Sequence, residues 1–491
     1  MKKYIYSIAI AVSAIAIGSC SEDLMDDINS NPNQPSNVAS SLIITDVMTS
    51  SAFSVTSSDF AFYASCYVEH NVGIHGQLYN AEIRSGEPTS STTYNNSWNS
   101  VYRNLLNLQD IIKKCSDGGS EEGNFHTLGM AQILSAYNLA ILTDVMGDVP
   151  WTEALQPGVI FTPNLDSQES IYVEIFSFLD SAIENLAKET LFPALGKQDF
   201  LYPLKDTETE ETVVERVENW KKFAYGLKAR YTMRLSLKSP NYTDVIEFAD
   251  KSFTSSAEQC QFVYNGSTSK SPFEMFFLDR NSFGASASFH DKLVARNDPR
   301  DAKFFKTTSD ELVFAPNGTP EQEQGKYGIS AISSLTAPTY LLSYHEIEFL
   351  KAEAYARNND LGNAKIALKK AIVAACGKSN VAISAADAET YYTDEVEPVL
   401  LDQSSALKEI MVQKYIACFE EEVLEAYNDI RRLKAMGNNF IQLDNPLNSS
   451  KFPLRYTYGA EDVTSNVNVR EAYGDGSYVY SENVWWAGGS R

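Results

Sequence analysis

The chain has 491 residues, enough for one large domain or for two or three of average size. Its 44% hydrophobic and 12% aromatic content is sufficient for a full-sized core. The formal charge of −24, from 40 basic and 64 acidic residues, argues against nucleic acid or an anionic bilayer surface as the working partner.

The first 19 residues have the composition of a signal peptide. Lys2 and Lys3 precede an apolar run, Ile5–Ile17, which is shorter than the roughly 20 residues that a membrane-spanning helix needs. Small residues then stand directly before Cys20, as in a bacterial lipobox, where the cysteine is acylated and becomes the first residue of the mature protein. We expect a lipid anchor at Cys20 and no second stretch that is long and apolar enough to cross a membrane; a plain signal peptide with an incidental cysteine is the alternative.

Residues 20–40 are interpreted as an acidic tether that ends in an Asn- and Pro-rich turn. The run Ser21–Asp23 resembles the signal that directs lipoproteins to the outer face of the outer membrane. Asp27–Pro32 begins like a calcium-binding loop, but Pro32 stands where that loop needs glycine, and Val38 stands where it needs glutamate. No calcium site is therefore predicted here.

Helical periodicity dominates the chain from residue 41 to residue 491. Apolar residues recur at spacings of three and four, which predicts helices at Ser41–Phe53, Trp98–Ile112, Phe125–Met146, Ile171–Leu186, Trp220–Leu237, Val245–Phe253, Leu407–Phe419 and Glu421–Met436. Few segments alternate with a period of two, so any sheet should be small. This part of the chain is predicted to be a single, mainly α-helical domain.

The clearest motif is a helical hairpin within Tyr340–Cys376. The break between its two helices is rich in Asn, Asp and Gly, and Asn363 is placed to cap the second helix. The small residues Ala352, Ala364 and Ala371 have the spacing of a tetratricopeptide hairpin. Such a hairpin cannot bury its outer face alone, so other hairpins should pack against it.

Three segments, 70–97, 273–289 and 314–338, show no sustained period and are rich in turn-forming residues. Long irregular insertions in a globular chain are often functional. Four aromatic residues in these segments have no evident helical partner, and two polar residues beside them could orient a ligand: Tyr79, Tyr94, Phe283 and Tyr327, with Arg84 and Asn281. We expect these six to contact a ligand; the alternative for each is that it only pins its loop to the scaffold.

No motif for catalysis or metal binding stands out. His345 begins a zincin-like pattern, but Phe349 occupies the position of the second ligand, and His70 and His75 have no acidic motif beside them. The sequence contains no G-x-S-x-G elbow and no P-loop, and no carboxylate pair is singled out among its acidic residues. We predict a binding protein that is not an enzyme and needs no metal or other cofactor.

Several motifs occur in an order typical of one protein family: Asn29–Pro35 (NSNPNQP), Leu142–Ala154 (LTDVMGDVPWTEA), Asn297–Phe304 (NDPRDAKF), Ser343–Ala356 (SYHEIEFLKAEAYA), Ile410–Leu433 (IMVQKYIACFEEEVLEAYNDIRRL) and the stretch from Pro453. With them the chain resembles the SusD/RagB family of surface lipoproteins, and within it the SusD-like subgroup. The resemblance implies a SusD-like fold of tetratricopeptide-like helical hairpins with long irregular loops and little β-structure.

The same resemblance implies a function in nutrient uptake. Family members sit as a lid on a SusC-like TonB-dependent β-barrel transporter and capture glycans, or in some cases peptides, for delivery through it. It implies an outer-membrane protein that faces the cell exterior and binds an oligosaccharide, with an oligopeptide as the alternative; a surface hydrolase and a purely adhesive protein stay open. Because family ligands bind to variable loops, the resemblance transfers no binding residues.

Overall fold

The computed structural model describes residues 38–204, 210–308, 310–445 and 447–491, and describes only the backbone of residues 210–215, 448 and 449. The predicted signal peptide, Cys20 and nearly all of the predicted tether, including most of the calcium-like segment, lie outside these ranges.

Helices build most of the first half of the described chain. They are α1 (Ser40–Ser50), α2 (Asp59–Tyr67), α3 (Gly76–Glu82), α4 (Asn95–Cys115), α5 (Phe125–Met146), α6 (Gln168–Leu186), α7 (Glu210–Arg234) and α8 (Tyr242–Asp250). Helix α5 packs against both α4 and α6, and α7 packs against both α6 and α8. Successive long helices therefore share interfaces, as expected for helical hairpins joined in series.

Helices also dominate the second half. They are α9 (Pro272–Arg280), α10 (Ala287–Val294), α11 (Asp301–Phe304), α12 (Tyr344–Arg357), α13 (Leu361–Cys376), α14 (Ala385–Tyr391), α15 (Gln403–Ala417), α16 (Val423–Ala435), α17 (Asn448–Lys451), α18 (Ala460–Ser465) and α19 (Val467–Tyr473). Helix α12 packs against α13, α15 and the earlier helix α8. One cluster of buried apolar residues extends from Ile44 to Ala487, which is consistent with the single domain that remains predicted for residues 41–491.

The strands form four short antiparallel ribbons. They are β1 (Asn71–Gly73) with β5 (Phe283–Ala285), β2 (Val149–Pro150) with β3 (Leu165–Asp166), β4 (Cys260–Phe262) with β8 (Thr339–Leu342), and β6 (Phe305–Lys306) with β7 (Ile329–Ser330). Each ribbon has only two strands within the described residues. The prediction of a mainly α-helical fold with little β-structure is confirmed.

The predicted hairpin is formed by α12 and α13, which pack closely together. The side chain of Ser343 accepts a hydrogen bond from the backbone N–H of Glu346 and so caps the start of α12. The prediction that Asn363 caps α13 is wrong. Asp360 is the cap, and its carboxylate accepts the N–H of Asn363 at 3.1 Å, because Asp at this position satisfies a free N–H of the first helical turn.

Helix α5 is long and apolar enough to cross a membrane, so the expectation of no such stretch after the signal peptide is wrong. However, 94% of its most apolar window is buried inside the fold. The helix passes so close to α6 that a Cβ at Gly129 would lie 2.7 Å from a side-chain carbon of Leu186. Packing within the core therefore accounts for the composition of this helix.

The C-terminal segment folds back onto the first half of the chain. The N–H of Tyr456 donates to the carbonyl oxygen of Val145 at 2.7 Å, and its hydroxyl donates to that of Phe60 at 2.8 Å. Trp486 is fully buried, and its backbone N–H donates to the side-chain oxygen of Gln168 at 3.0 Å. The core around α2 and α5 is thus completed by residues from the end of the chain.

Candidate ligand-binding site

The three irregular segments predicted from the sequence lie side by side. Strand β1 pairs with β5, which places Val72 opposite Gly284. The N–H of Ala315 then donates to the carbonyl oxygen of Ala285 at 2.8 Å, and a bridge joins Ser286 to Ala315. Segments 70–97, 273–289 and 314–338 therefore form one continuous surface.

A buried carboxylate holds this surface together from below. Glu82 accepts hydrogen bonds from the N–H of Gly318 at 2.6 Å and the N–H of Gly73 at 3.3 Å, and from the side-chain amide of Asn445 at 3.3 Å. Burial raises the pKa of Glu82 to about 7, against the opposing effect of Arg84. Glu82 thus joins the backbone at Gly73 and Gly318 to the side chain of Asn445.

A cavity of about 390 Å³ opens where these segments meet α2, α4 and α9. Its volume is in the usual range for small-ligand sites. Its side chains divide into apolar and aromatic residues at the base and polar residues around them: Phe62, Tyr63, Leu78 and Phe276, with Asp59, His75, Gln77, Thr92, Thr93, Asn96, Asp279, Arg280, Ser282 and Gln324. The cavity therefore offers both kinds of contact to a ligand.

Aromatic rings from α2 and α9 form the base of the cavity. The ring of Phe62 lies 4.4 Å from that of Phe276 and 5.1 Å from that of Phe273, centroid to centroid. Phe62 and Tyr63 are almost fully buried, whereas Phe276 is partly exposed. Phe276 is thus the lining ring most available to an apolar ligand face.

Polar side chains at the rim are only partly engaged with one another. The side-chain amide of Asn96 donates to the carboxylate of Asp59 at 3.0 Å, and burial raises the pKa of Asp59. Gln324 closes one edge by donating to the carbonyl oxygen of Arg280 at 2.7 Å. The side chains of Asp279 and Arg280 are exposed and make no ion pair with the part of the chain that the structure describes. They are free to contact a ligand.

Three of the four aromatic residues predicted as ligand platforms are buried instead. Tyr94 stacks on Tyr456 at 4.0 Å, Phe283 is enclosed by the phenylalanines of α9, and the hydroxyl of Tyr327 accepts the N–H of Glu321. Each ring therefore pins its segment to the scaffold. The expectation that Tyr94, Phe283 and Tyr327 present open faces is wrong. Other rings cover Tyr94 and Phe283, and Tyr327 is buried in a small cluster with the aliphatic side chains of Val72, Ile74 and Ala315.

The remaining three predicted residues have different surroundings. Arg84 is buried, with its guanidinium 5.0 Å from the centre of the Tyr67 ring, so its side chain is not presented at the surface of the segment. Tyr79 is half-buried on α3, and Asn281 is half-buried at the end of α9. Asn281 has a positive φ of 44°, which turns the chain from α9 into β5 beside the cavity.

The sequence indicates the three segments, but none of the six predicted residues is among those that line the cavity. Three of the lining residues lie on helices, at positions that a single sequence does not distinguish from other helix-surface positions: Asp59, Asn96 and Phe276. The sequence carries one signal for this arrangement: Pro272 and Asn281 mark the start and the end of a short helix inside the aromatic segment. Phe276 is the phenylalanine of that helix that is partly exposed, whereas Phe273 and Phe277 are buried.

No group of three or more His, Cys, Asp or Glu side chains within the described residues is arranged to hold a metal ion. His345 of the zincin-like pattern is buried, and its Nε2 lies 2.8 Å from the carboxylate of Glu422. His70 is also buried, whereas His75 is exposed at the cavity.

Comparison with known proteins identifies the family. A family profile described as starch-binding and associating with the outer membrane matches residues 32–459. The chain belongs to the SusD-like family. Its structure is similar to that of a SusD/RagB family protein from Bacteroides thetaiotaomicron, at 45% sequence identity and a TM-score of 0.84, over 93% of this chain and 100% of that one. The family and fold predicted from the sequence are confirmed.

More distant SusD-like structures share the fold. A SusD homolog from Bacteroides fragilis has 19% identity and a TM-score of 0.71, over 92% of this chain and 100% of that one. A chitin-binding SusD homolog from Flavobacterium johnsoniae also has 19% identity and a TM-score of 0.71, over 91% and 98% of the two chains. At this identity the likeness concerns the fold alone. No curated protein matches the sequence.

Proposed function

We propose that this SusD-like protein captures neutral oligosaccharides at the cell surface and passes them to a SusC-like TonB-dependent transporter. The observation that carries the proposal is the convergence of three irregular segments on one cavity with an aromatic base and a hydrogen-bonding rim. A sugar ring has an apolar C–H face and a polar edge, so it matches both parts of such a cavity.

Each part of the lining has a role in this proposal. Phe276 would stack on the face of a sugar ring, and the paired Asn96 and Asp59 would bind hydroxyl groups. Tyr79 and Asn281 stay as proposed contacts, because each is half-buried beside residues that line the cavity. We infer a binding function instead of a catalytic one, because no motif in the sequence assigns a residue the role of acid, base or nucleophile.

The cellular setting is proposed from the sequence and the family. Acylation at Cys20 would anchor the protein in the outer membrane, and the acidic residues behind it would direct it to the outer face. The family description, associating with the outer membrane, is consistent with that location. A lid position on a SusC-like β-barrel would place the captured ligand at the entrance of its transporter.

An oligopeptide is the second candidate ligand. Asp279 and Arg280 are neighbouring exposed charges of opposite sign at the rim, and they could bind the charged groups of a peptide. A surface hydrolase is less favoured, because the described residues show no motif that assigns Asp59 or Asp279 a catalytic partner.

An array of neutral glycans and oligopeptides, followed by calorimetry, tests the proposal. For a glycan that binds, Phe276→Ala should weaken binding by about 1–3 kcal/mol, by analogy with base stacking on aromatic side chains. Asn96→Ala should weaken it by about 0.5–1.5 kcal/mol, the usual contribution of a hydrogen bond. Asn439→Ala, an exposed asparagine outside the cavity, is the matched control and should bind normally. Binding of peptides alone would contradict the oligosaccharide proposal, and normal glycan binding by both cavity variants would place the site elsewhere.

The partnership needs a separate test. Purification of the natively expressed protein in mild detergent should bring a large TonB-dependent β-barrel with it. Recovery of the protein alone would contradict the lid function and favour a free-standing adhesin or hydrolase.

A further inference from the structure

A second and larger cavity, of about 610 Å³, lies apart from the ligand cavity. Its described walls come from α1, residues 200–203, α7, residues 257–259, strand β4 and the turn that follows β4. None of its described lining residues lines the first cavity, and none belongs to the three irregular segments. The proposed function leaves this cavity without a role.

Hydrogen bonds hold the first wall in place. The buried carboxylate of Asp199 accepts the indole N–H of Trp220 at 2.7 Å, and the backbone N–H groups of Leu201 and Tyr202 at 3.1 and 2.8 Å. The guanidinium of Arg216 donates to the carbonyl oxygen of Tyr202 at 2.6 Å. This wall is therefore formed before any ligand arrives, and Arg216 is part of the wall.

Hydrogen bonds also hold the backbone of the opposite wall of the cavity in place. Strand β4 pairs with β8, which fixes the backbone around Gln261. After β4, the side-chain oxygen of Asn265 accepts the N–H groups of Ser267, Thr268 and Ser269 at 2.9, 2.9 and 3.0 Å. These bonds give the turn a single shape.

One aromatic ring that lines the second cavity is exposed to solvent. Phe200 is 41% exposed, and its ring is held edge-on against that of Phe262, with 6.1 Å between centroids and 80° between planes. An exposed ring in a fixed orientation is suited to stacking on the apolar face of a ligand.

The polar lining is almost entirely uncharged and includes four amides: Asn219, Gln259, Gln261 and Asn265. Within the described chain, the side chain of Asn219 makes no hydrogen bond, and Gln261 uses only its oxygen, which accepts from Gln259. The only charged side chain in the described lining is Arg216, which is engaged with the wall. The cavity therefore offers neutral donors and acceptors beside an aromatic face.

We propose that this cavity is a second saccharide-binding site, which takes a neutral oligosaccharide with Phe200 as the stacking ring and Asn219 and Gln261 as hydroxyl-binding groups. An anionic ligand or a peptide terminus would need an unpaired charge, which the described lining does not offer. The inference rests on the proposed function, since it assigns a second point of attachment for the same class of ligand. Two attachment points would raise the avidity of the protein for long glycan chains.

Hydrogen–deuterium exchange can locate the two sites separately. The probes are maltoheptaose, hexa-N-acetylchitohexaose and any neutral glycan that binds on the array. A bound glycan should protect residues 198–203 and 259–269 at the second cavity, besides residues 75–96 and 276–282 at the first. Phe200→Ala and Asn219→Ala should each weaken glycan affinity at the second cavity about tenfold, seen as a higher glycan concentration needed for protection there. This is within the range for loss of one stacking or hydrogen-bonding side chain, and protection at the first cavity should not change.

Phe53→Ala is the matched control, because Phe53 is also 41% exposed and packs edge-on against Tyr264 but does not line the cavity. Its exchange pattern with glycan should equal that of the wild type. Protection confined to the first cavity would overturn the second site and leave the proposed function intact. Protection of the second cavity by a peptide but by no glycan would overturn the ligand class, and absence of binding by every glycan would overturn both proposals.

Discussion

Charged side chains have opposite surroundings in the helical scaffold and at the ligand cavity. Between α12 and α16, the guanidinium of Arg432 donates to Glu353 at 2.7 and 2.8 Å and to Asp429 at 2.9 Å, and all three residues are buried. At the cavity rim, Asp279 and Arg280 are exposed and form no ion pair within the described residues. Residues of the same chemistry therefore stabilise the fold in one region and are available for recognition in the other.

The difference lies in how completely each charge is compensated. Burial alone would raise the pKa of Glu353, but Arg432 and Arg357 lower it to about 2, so this carboxylate stays ionised and paired at ordinary pH. Removing one partner of such a pair leaves a buried charge without compensation, which is costly. Solvated rim charges carry no such cost and can exchange water for a ligand.

The largest expected effect comes from breaking the buried pair. Glu353→Ala should lower the free energy of unfolding by about 3–5 kcal/mol, because Arg432 loses its bidentate partner. Arg280→Ala, the matched removal of an exposed charge, should change it by less than about 0.5 kcal/mol. Urea unfolding of both variants measures this, and similar losses in the two would refute the distinction between scaffold and rim charges.

The second prediction separates a buried ring from a rim side chain in the same segment. Tyr94→Ala should destabilise the protein by about 3 kcal/mol or more, because it removes a ring stacked on Tyr456 and hydrogen-bonded to Tyr67. Asn96→Ala should leave the melting temperature nearly unchanged and weaken ligand binding. Thermal melts beside calorimetry distinguish them, and a stable Tyr94→Ala protein that has lost its ligand would restore Tyr94 as a platform.

The third prediction concerns pH and the carboxylate beneath the cavity. The pKa of Glu82 is raised from 4.5 to about 7, so the folded state holds its proton more tightly than the unfolded state. Its contribution to stability is complete below about pH 4.5 and is lost as the pH rises through 7, by roughly 2–3 kcal/mol between pH 5 and pH 8.

Glu82→Gln cannot titrate and is the control for this effect. Glu346 and Glu420, whose pKa values are raised to about 7 and 8, contribute a loss of the same sign in both proteins. The free energy of unfolding, measured by urea titration across this pH range, should therefore fall less steeply in Glu82→Gln. An identical slope would show that Glu82 does not titrate there.

The smallest effect on the folded domain is expected from removal of the proposed lipid anchor. Cys20→Ala should abolish palmitate labelling and release the protein from the outer membrane, because the lipid alone would supply membrane affinity. Ligand affinity and melting temperature should stay at wild-type values. Labelling at the wild-type level would contradict the lipoprotein proposal.

The parts of the fold that the sequence predicts best are those that local residue patterns specify. Phe125–Met146 was predicted at its observed bounds, because Gly147 ends the helix and nearly all its apolar residues are buried. The hairpin of α12 and α13 followed from periodicity and the residues of its turn. The three irregular segments are predicted from the sequence, but their convergence on one surface is not. The paired strands β1 and β5 that bring two of them together are far apart in the chain.

The misassigned residues show what local patterns leave out. Tyr94 and Phe283 appear unpartnered in sequence, but one is covered by Tyr456 and the other by Phe276 and Phe277 of α9. Contacts between residues so distant in the chain, or across an unrecognised helix, have no signature in a single sequence. The scaffold is encoded locally, whereas exposure at the cavity depends on tertiary packing.

The position of Tyr456 against Tyr94 also affects how the protein matures. The aromatic residues around α2 are synthesised early, but the ring that covers them belongs to the end of the chain. Contacts of such long sequence separation form late in folding. A polypeptide cut short before Tyr456 would expose these rings and offer proteases an unfinished core. Only a polypeptide that extends past Tyr456 would then have this aromatic core complete.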